Sequence, residues 1–201
     1  MNTNHILTAI AATIAISFSA YSAEIGKPAP DFSAKSVKGV EVSLASLKGK
    51  VVVLEWSSYA CPFVKKHYDS KNMQKIQEAY TAKDVVWITI NSSSPKSRGY
   101  YFDHEAFLKK AEENGSKATH LIVDDSGAVG KLYSAKVTPH MFVINKDGVL
   151  VYNGAIDSKA SMNPKDIASA ENYVATALDA VLAGKAVATA KTQPYGCGVK
   201  Y

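Results

Sequence analysis

The chain has 201 residues, 47% of them hydrophobic and 20% charged, which is enough apolar content for an ordinary globular core and too much for a disordered or fibrous polypeptide. It carries 23 basic and 18 acidic side chains for a net charge of +5, yet Arg98 is its one arginine and the lysines are scattered. That pattern describes a solvated surface and excludes a guanidinium-rich nucleic-acid face, while two cysteines, Cys61 and Cys197, exclude a disulfide-built miniprotein.

In chain order, residues 1–23 contain no Asp, Glu, Lys or Arg, and Ile6 to Phe18 is almost wholly apolar. This reads as the hydrophobic part of a secretory signal, with cleavage after Ser22 or Ala23. The expected organisation is a signal segment over 1–23 and one domain over 24–201 that ends in a cysteine-containing tail. The alternative is an uncleaved anchor, for which the apolar run is marginal against the ~20 residues a spanning helix needs. Export implies a periplasmic or secreted protein in an oxidising compartment, with membrane contact only through that first segment.

Beyond Glu24, short β-rich runs alternate with amphipathic segments, the pattern of a single α/β domain. Lys50 to Trp56 is a strand buried on both faces, and a helix is predicted from Cys61-Pro62 through Met73, Ile76 and Tyr80. Val85 to Asn91 is the second strand, Asp103 to Asn114 a helix stopped at Gly115, and His120 to Val123 a third strand. A short helix around Val129 to Tyr133 precedes Thr138-Pro139. Met141 to Asn145 and Val149 to Asn153 then flank the hairpin signal Lys146-Asp147-Gly148. Ile167, Ala170, Val174, Ala177, Leu178 and Val181 mark a last amphipathic helix closing at Gly184.

Cys61 follows a buried strand and opens a helix, where unpaired amides and the helix dipole favour negative charge. Cysteines in that position ionise readily and act as nucleophiles. Lys65, Lys66 and His67 follow within two turns and add positive potential unless they point into water; Ser57, Ser58 and Tyr59 give a polar flank, unlike the apolar crowding around an inert thiol. His67, His104 and His120 share no ligand spacing and are expected at the surface or as caps, while Trp56 and Trp87 belong to the core.

From these pieces the chain resembles the thioredoxin-like superfamily, in its exported redoxin branch. The matching residues are Pro30-Asp31-Phe32, Leu47 to Val53, the strand-Cys61-Pro62-helix junction, Thr138-Pro139 and the Asp147-Gly148 hairpin, in family order over about residues 28 to 155. The resemblance implies a central mixed sheet flanked by helices, and a cis peptide before Pro139 that sets the Thr138 backbone beside the Cys61 sulfur. It also implies a thiol-dependent oxidoreductase acting on a peroxide or on a protein disulfide or thiol, with an external thiol reductant to complete the cycle.

The chain departs from the family in two ways. Val64 stands where disulfide-exchanging thioredoxins carry their second cysteine. Ser58 and Cys61 fit the peroxiredoxin spacing, but Leu54 occupies the proline place and Arg98, in a polar loop, is no counterpart of the activating arginine. On this reading Cys61 is the nucleophile, Cys197, set between Gly196 and Gly198, its resolving partner, and Ser58, Thr138 and Pro139 position substrate. Two alternatives stand beside it. A Cys61–Cys197 bond closing so long a loop would serve as a staple contributing about 4–5 kcal/mol on the chain-entropy account. A soft set of Cys61, His140 and Met141 would suit Cu(I) and make the protein a copper-binding chaperone.

Overall fold

The computed structural model describes residues 22–201, so the segment expected to be a signal lies almost wholly outside the described residues. Two strands, β1 (Ser33–Lys35) and β2 (Glu41–Ser43), form an antiparallel hairpin. The central sheet is built from β3 (Val52–Trp56), β4 (Val86–Asn91), β5 (His120–Val123), β7 (His140–Ile144) and β8 (Leu150–Gly154), in the order β5-β4-β3-β7-β8. The β3–β4 and β4–β5 pairs are parallel, whereas β3–β7 and β7–β8 are antiparallel. This is the mixed sheet of a thioredoxin-like fold. The short strands β6 (Val137–Thr138) and β9 (Cys197–Gly198) pair outside it.

Side chains alternate between faces along each strand, and this sorts the core into two layers. Val53, Trp87, Met141 and Val143 face one cluster with Cys61, Tyr68, Met73, Phe107, Val174 and Leu178. Val52, Leu54, Trp56, Ile88, Ile90, Phe142 and Ile144 face the other with Phe32, Val42 and Tyr133. Helices α1 (Pro62–Asp69), α2 (Asn72–Thr81), α3 (His104–Glu113) and α5 (Tyr173–Leu182) supply the first cluster, and α4 (Ala128–Leu132) with the β1–β2 hairpin covers the second. Trp56 and Trp87 are fully buried, as expected.

The single helix expected from Cys61 to Tyr80 is broken in two. Lys71 sits at φ 62° between α1 and α2, and Ser70 Oγ donates to the Lys66 carbonyl at 2.7 Å, closing the first helix. Periodicity survives the break because Met73, Ile76 and Tyr80 still face the core. The last helix starts later than expected, at Tyr173, where Asn172 caps by accepting from Ala175 N at 2.9 Å. Ile167 instead belongs to a separate 3-10 turn, Pro164–Ser169.

Candidate active site

Cys61 is held by the exit from β3. Ser57 N donates to Ile90 O and Asn91 Nδ2 to Ser57 O, at 2.9 and 3.0 Å, which fixes where the strand ends. Cys61 N then donates to Ser58 O at 2.9 Å, and the chain turns into α1 with Cys61 as its N-cap and Pro62 in the first turn. Val64 N and Lys65 N are satisfied by the Cys61 carbonyl rather than by its sulfur, and the Cys61 side chain makes no capping bond. The amides of the first turn thus give the sulfur no direct backbone donor. Cys61 Sγ donates instead to the carbonyl of Thr138 at 3.0 Å, and the residue is fully buried. Its flank is polar in composition but closed to solvent: Ser57, Ser58 and Tyr59 are all buried, and Ser58 Oγ has no hydrogen-bond partner among the described residues.

The Thr138-Pro139 peptide is cis, and the Thr138 carbonyl lies beside the Cys61 sulfur, as the resemblance implied. The tail arrives from the other side. β9 pairs antiparallel with β6, placing Thr138 opposite Cys197 and Val137 opposite Gly198, with Val199 N donating to Lys136 O at 3.0 Å. Gly196, at φ +142°, lets the tail come this close: a Cβ there would stand 2.0 Å from Thr138 O. Both cysteines are free thiols. Burial and the adjacent Cys61 thiol push the Cys197 thiol up to about 12, with Lys200 acting weakly the other way. Cys197 is thus held protonated.

Cys61, Cys197, Thr138 and Pro139 are brought together, with the Ser58 backbone bonded to that of Cys61. The copper set is not. Adjacent residues on β7 point to opposite faces, so Met141 packs in the cluster of Cys61 while His140 stacks on Phe142 at 4.5 Å, in the other layer. Both His140 nitrogens are in use: Nδ1 accepts from Lys136 N at 3.3 Å, and Nε2 pairs with Asn153 Oδ1 at 2.8 Å. Burial pushes the His140 pKa down to about 4. Among the described residues no group of three or more His, Cys, Asp or Glu converges on a metal-sized site.

The basic residues after Cys61 divide differently from the sequence expectation. Lys65 is exposed, but Lys66 and His67 are buried, and the pKa of His67, a residue expected at the surface or as a cap, is pushed down to about 4 chiefly by that burial. Sequence reasoning also missed Glu55, a fully buried carboxylate that accepts from Trp87 Nε1 at 2.8 Å, Thr89 Oγ1 and Gln77 Nε2 at 3.1 Å, and Tyr68 OH at 3.2 Å. Its signal was available, since an acid inside the apolar run Val51 to Trp56 must find donors or be lost.

The AhpC/TSA family model matches residues 25–153 of the chain. The thiol-disulfide oxidoreductase ResA of Bacillus thuringiensis subsp. konkukian (strain 97-27) is 27% identical over 129 residues, 64% of this chain and 68% of that protein. An uncharacterised conserved protein of Geobacillus kaustophilus superposes with a TM-score of 0.73 at 28% identity, over 89% of this chain and 92% of that one. The thioredoxin domain of a thiol-disulfide oxidoreductase from Bacteroides vulgatus, at 20% identity, shares the fold with a TM-score of 0.52 over 74% of this chain and 98% of that one. The chain has a thioredoxin-like fold, is a thiol oxidoreductase, and belongs to the AhpC/TSA family.

Proposed function

We propose that the protein is a thiol–disulfide oxidoreductase in which Cys61 attacks and Cys197 of the same chain resolves. The observation that carries this reading is the Cys61 Sγ contact with Thr138 O at 3.0 Å, taken with the register that sets Thr138 against Cys197. The Cys61 thiolate attacks one sulfur of a substrate disulfide, forming a mixed disulfide and releasing one substrate thiolate. Cys197, giving up its proton, then attacks the Cys61 sulfur, forming the Cys61–Cys197 bond and releasing the second substrate thiol. The substrate gains two electrons and the cysteine pair loses them, so an external thiol must reduce the pair for the next turnover.

Protein disulfides suit this site better than peroxides. The ResA relative is named for disulfide chemistry. Arg98 is exposed in a loop, and Leu54, in the place of the peroxiredoxin proline, is buried in the sheet layer opposite Cys61. Because Cys61 is fully buried, a macromolecular disulfide reaches it only when the tail lifts from β6. A second reading, peroxide reduction through a Cys61 sulfenic acid, is favoured by the unpartnered hydroxyl of Ser58, which would be free to hold a peroxide oxygen. Export to an oxidising compartment follows from the apolar first segment and is tested by sequencing the amino terminus of the mature protein.

The deciding experiment incubates the reduced protein with oxidised glutathione and, separately, with hydrogen peroxide, followed by peptide mapping. Rapid formation of the Cys61–Cys197 bond with glutathione, and slow formation with peroxide, supports disulfide exchange; the reverse order favours the peroxidase. If Cys61→Ser still consumes disulfide, the nucleophile is misassigned. A bond that mild thiols cannot reduce leaves the staple.

A further inference from the structure

A buried ionic cluster lies one to two turns along α1 from Cys61, and the exchange chemistry does not use it. Lys66 and Asp157, both nearly inaccessible, form an ion pair at 3.2 Å, and Lys66 Nζ also donates to the Lys159 carbonyl at 2.8 Å. The Tyr195 hydroxyl enters this cluster from the tail. It donates to Asp157 Oδ1, lies 3.5 Å from Lys66 Nζ and 3.3 Å from His67 Nε2, and its ring sits 5.9 Å from that of Phe63. His67 is oriented from its other side by Asn72 at 2.8 Å.

Two considerations give this cluster a purpose. First, a buried ion pair contributes little to stability compared with an apolar pair of the same volume, because desolvation offsets most of the attraction; what it supplies is a fixed geometry. Secondly, both ends of the reaction are attached to it. Cys61 starts α1, Lys66 and His67 lie on the same rigid helix, and Tyr195 stands two residues before Cys197. The tail is also held by the β6–β9 pairing at Cys197 itself, by Thr192 Oγ1, which accepts from Ala155 N at 2.8 Å, and by Tyr201 OH, which donates to Ala135 O at 2.7 Å, but none of these ties it to α1.

We propose that Tyr195, gripped by Lys66 and Asp157, is the positioning residue that aims Cys197 at Cys61, so that the effective concentration of the resolving thiol is set from the helix that carries the nucleophile. This rests on the exchange reading given above. Loosening the grip widens the range of positions open to Cys197 in the reduced protein but not in the oxidised one, where the covalent bond holds it. The Cys61–Cys197 bond then becomes easier to reduce.

The test equilibrates wild type, Tyr195→Phe and the double variant Lys66→Met/Asp157→Leu with mixtures of reduced and oxidised glutathione. The fraction bearing the Cys61–Cys197 bond is read by alkylation and mass spectrometry, and the Tm of each reduced protein is followed in parallel. Tyr195→Phe keeps the ring and its packing, and the double variant replaces the ion pair by apolar side chains of similar size. The expected result is an equilibrium constant for bond formation lower by about three- to tenfold in both variants, the range an ordinary net hydrogen bond implies. A Tm that falls while the constant stays at the wild-type value gives Tyr195 a merely structural role and overturns the proposal. If wild type forms no Cys61–Cys197 bond at any glutathione ratio, the exchange reading fails, and the positioning role with it.

Discussion

Cys61 donates its Sγ–H to the Thr138 carbonyl at 3.0 Å, and Thr138 is the register partner of Cys197 across the β6–β9 pair. One backbone unit thus touches the Cys61 thiol and pairs with the strand that carries Cys197. Replacing Cys197 by Ser is expected to leave the first attack intact and to accumulate a mixed disulfide on Cys61, with turnover down by at least about tenfold because the resolving step now waits for an outside thiol. Cys61→Ser is expected to abolish turnover. Intact-mass spectrometry after a single addition of oxidised glutathione distinguishes the two variants.

Gly196 is the tightest point of the tail. Its φ is +142°, and a Cβ added there would stand only 2.0 Å from Thr138 O, so any side chain forces β9 away from β6. Gly196→Val is expected to slow formation of the Cys61–Cys197 bond by about tenfold or more while leaving the two core layers unchanged. Limited trypsin digestion checks this: cleavage at Lys200 is expected to accelerate in the variant, and the thermal transition of the remaining domain to stay within a few degrees of wild type.

Burial holds the folded-state pKa of His140 at about 4, below its ordinary 6.5. Between those values the unfolded chain takes up a proton that the folded chain refuses. Stability is therefore full above pH 6.5 and falls as the pH drops towards 4, by up to about 1.4 kcal/mol per pH unit for one such group. His67 follows the same sign. Glu55, whose carboxyl burial holds above the usual range, opposes it, since protonation relieves its buried charge. The comparison of wild type with His140→Gln isolates the histidine: in urea unfolding from pH 7 to 4, the variant is expected to show a shallower loss of stability.

Glu55 gathers four side-chain donors, from Tyr68, Gln77, Trp87 and Thr89, in the interior of the domain. Glu55→Leu strands Trp87 Nε1, Thr89 Oγ1 and Tyr68 OH, with Gln77 Nε2 keeping Tyr68 OH as acceptor, and is expected to cost about 3 kcal/mol or more, while Glu55→Gln keeps an acceptor and costs less, about 1–2 kcal/mol. Urea unfolding monitored by tryptophan fluorescence measures both.

The parts of this architecture that rest on periodicity were legible in the sequence. The runs around Val53, Ile88 and Val143 are apolar and β-branched enough to predict three sheet strands, and Cys61-Pro62 marks the start of α1. The α1–α2 break was not legible, because a left-handed residue at Lys71 interrupts the backbone without disturbing the apolar spacing. Strand β9 has two residues and no pattern of its own; its pairing depends on the fit of Gly196 against Thr138, which only the fold brings about. His140 and Met141, adjacent to Pro139, suggested a ligand pair, yet their alternation on β7 sends them to opposite faces. Lys66 read as a source of positive potential near Cys61 or as a chain pointing into water, not as half of a buried pair, since its partner Asp157 lies far along the chain.

The most direct measurement is peptide mapping of the reduced, dilute protein after one equivalent of a disulfide oxidant, across a range of protein concentrations. The account predicts a Cys61–Cys197 bond within single chains, formed at a rate independent of protein concentration. A Cys61 that stays in a mixed disulfide while Cys197 remains a free thiol, or a bond that forms only between chains, would contradict it.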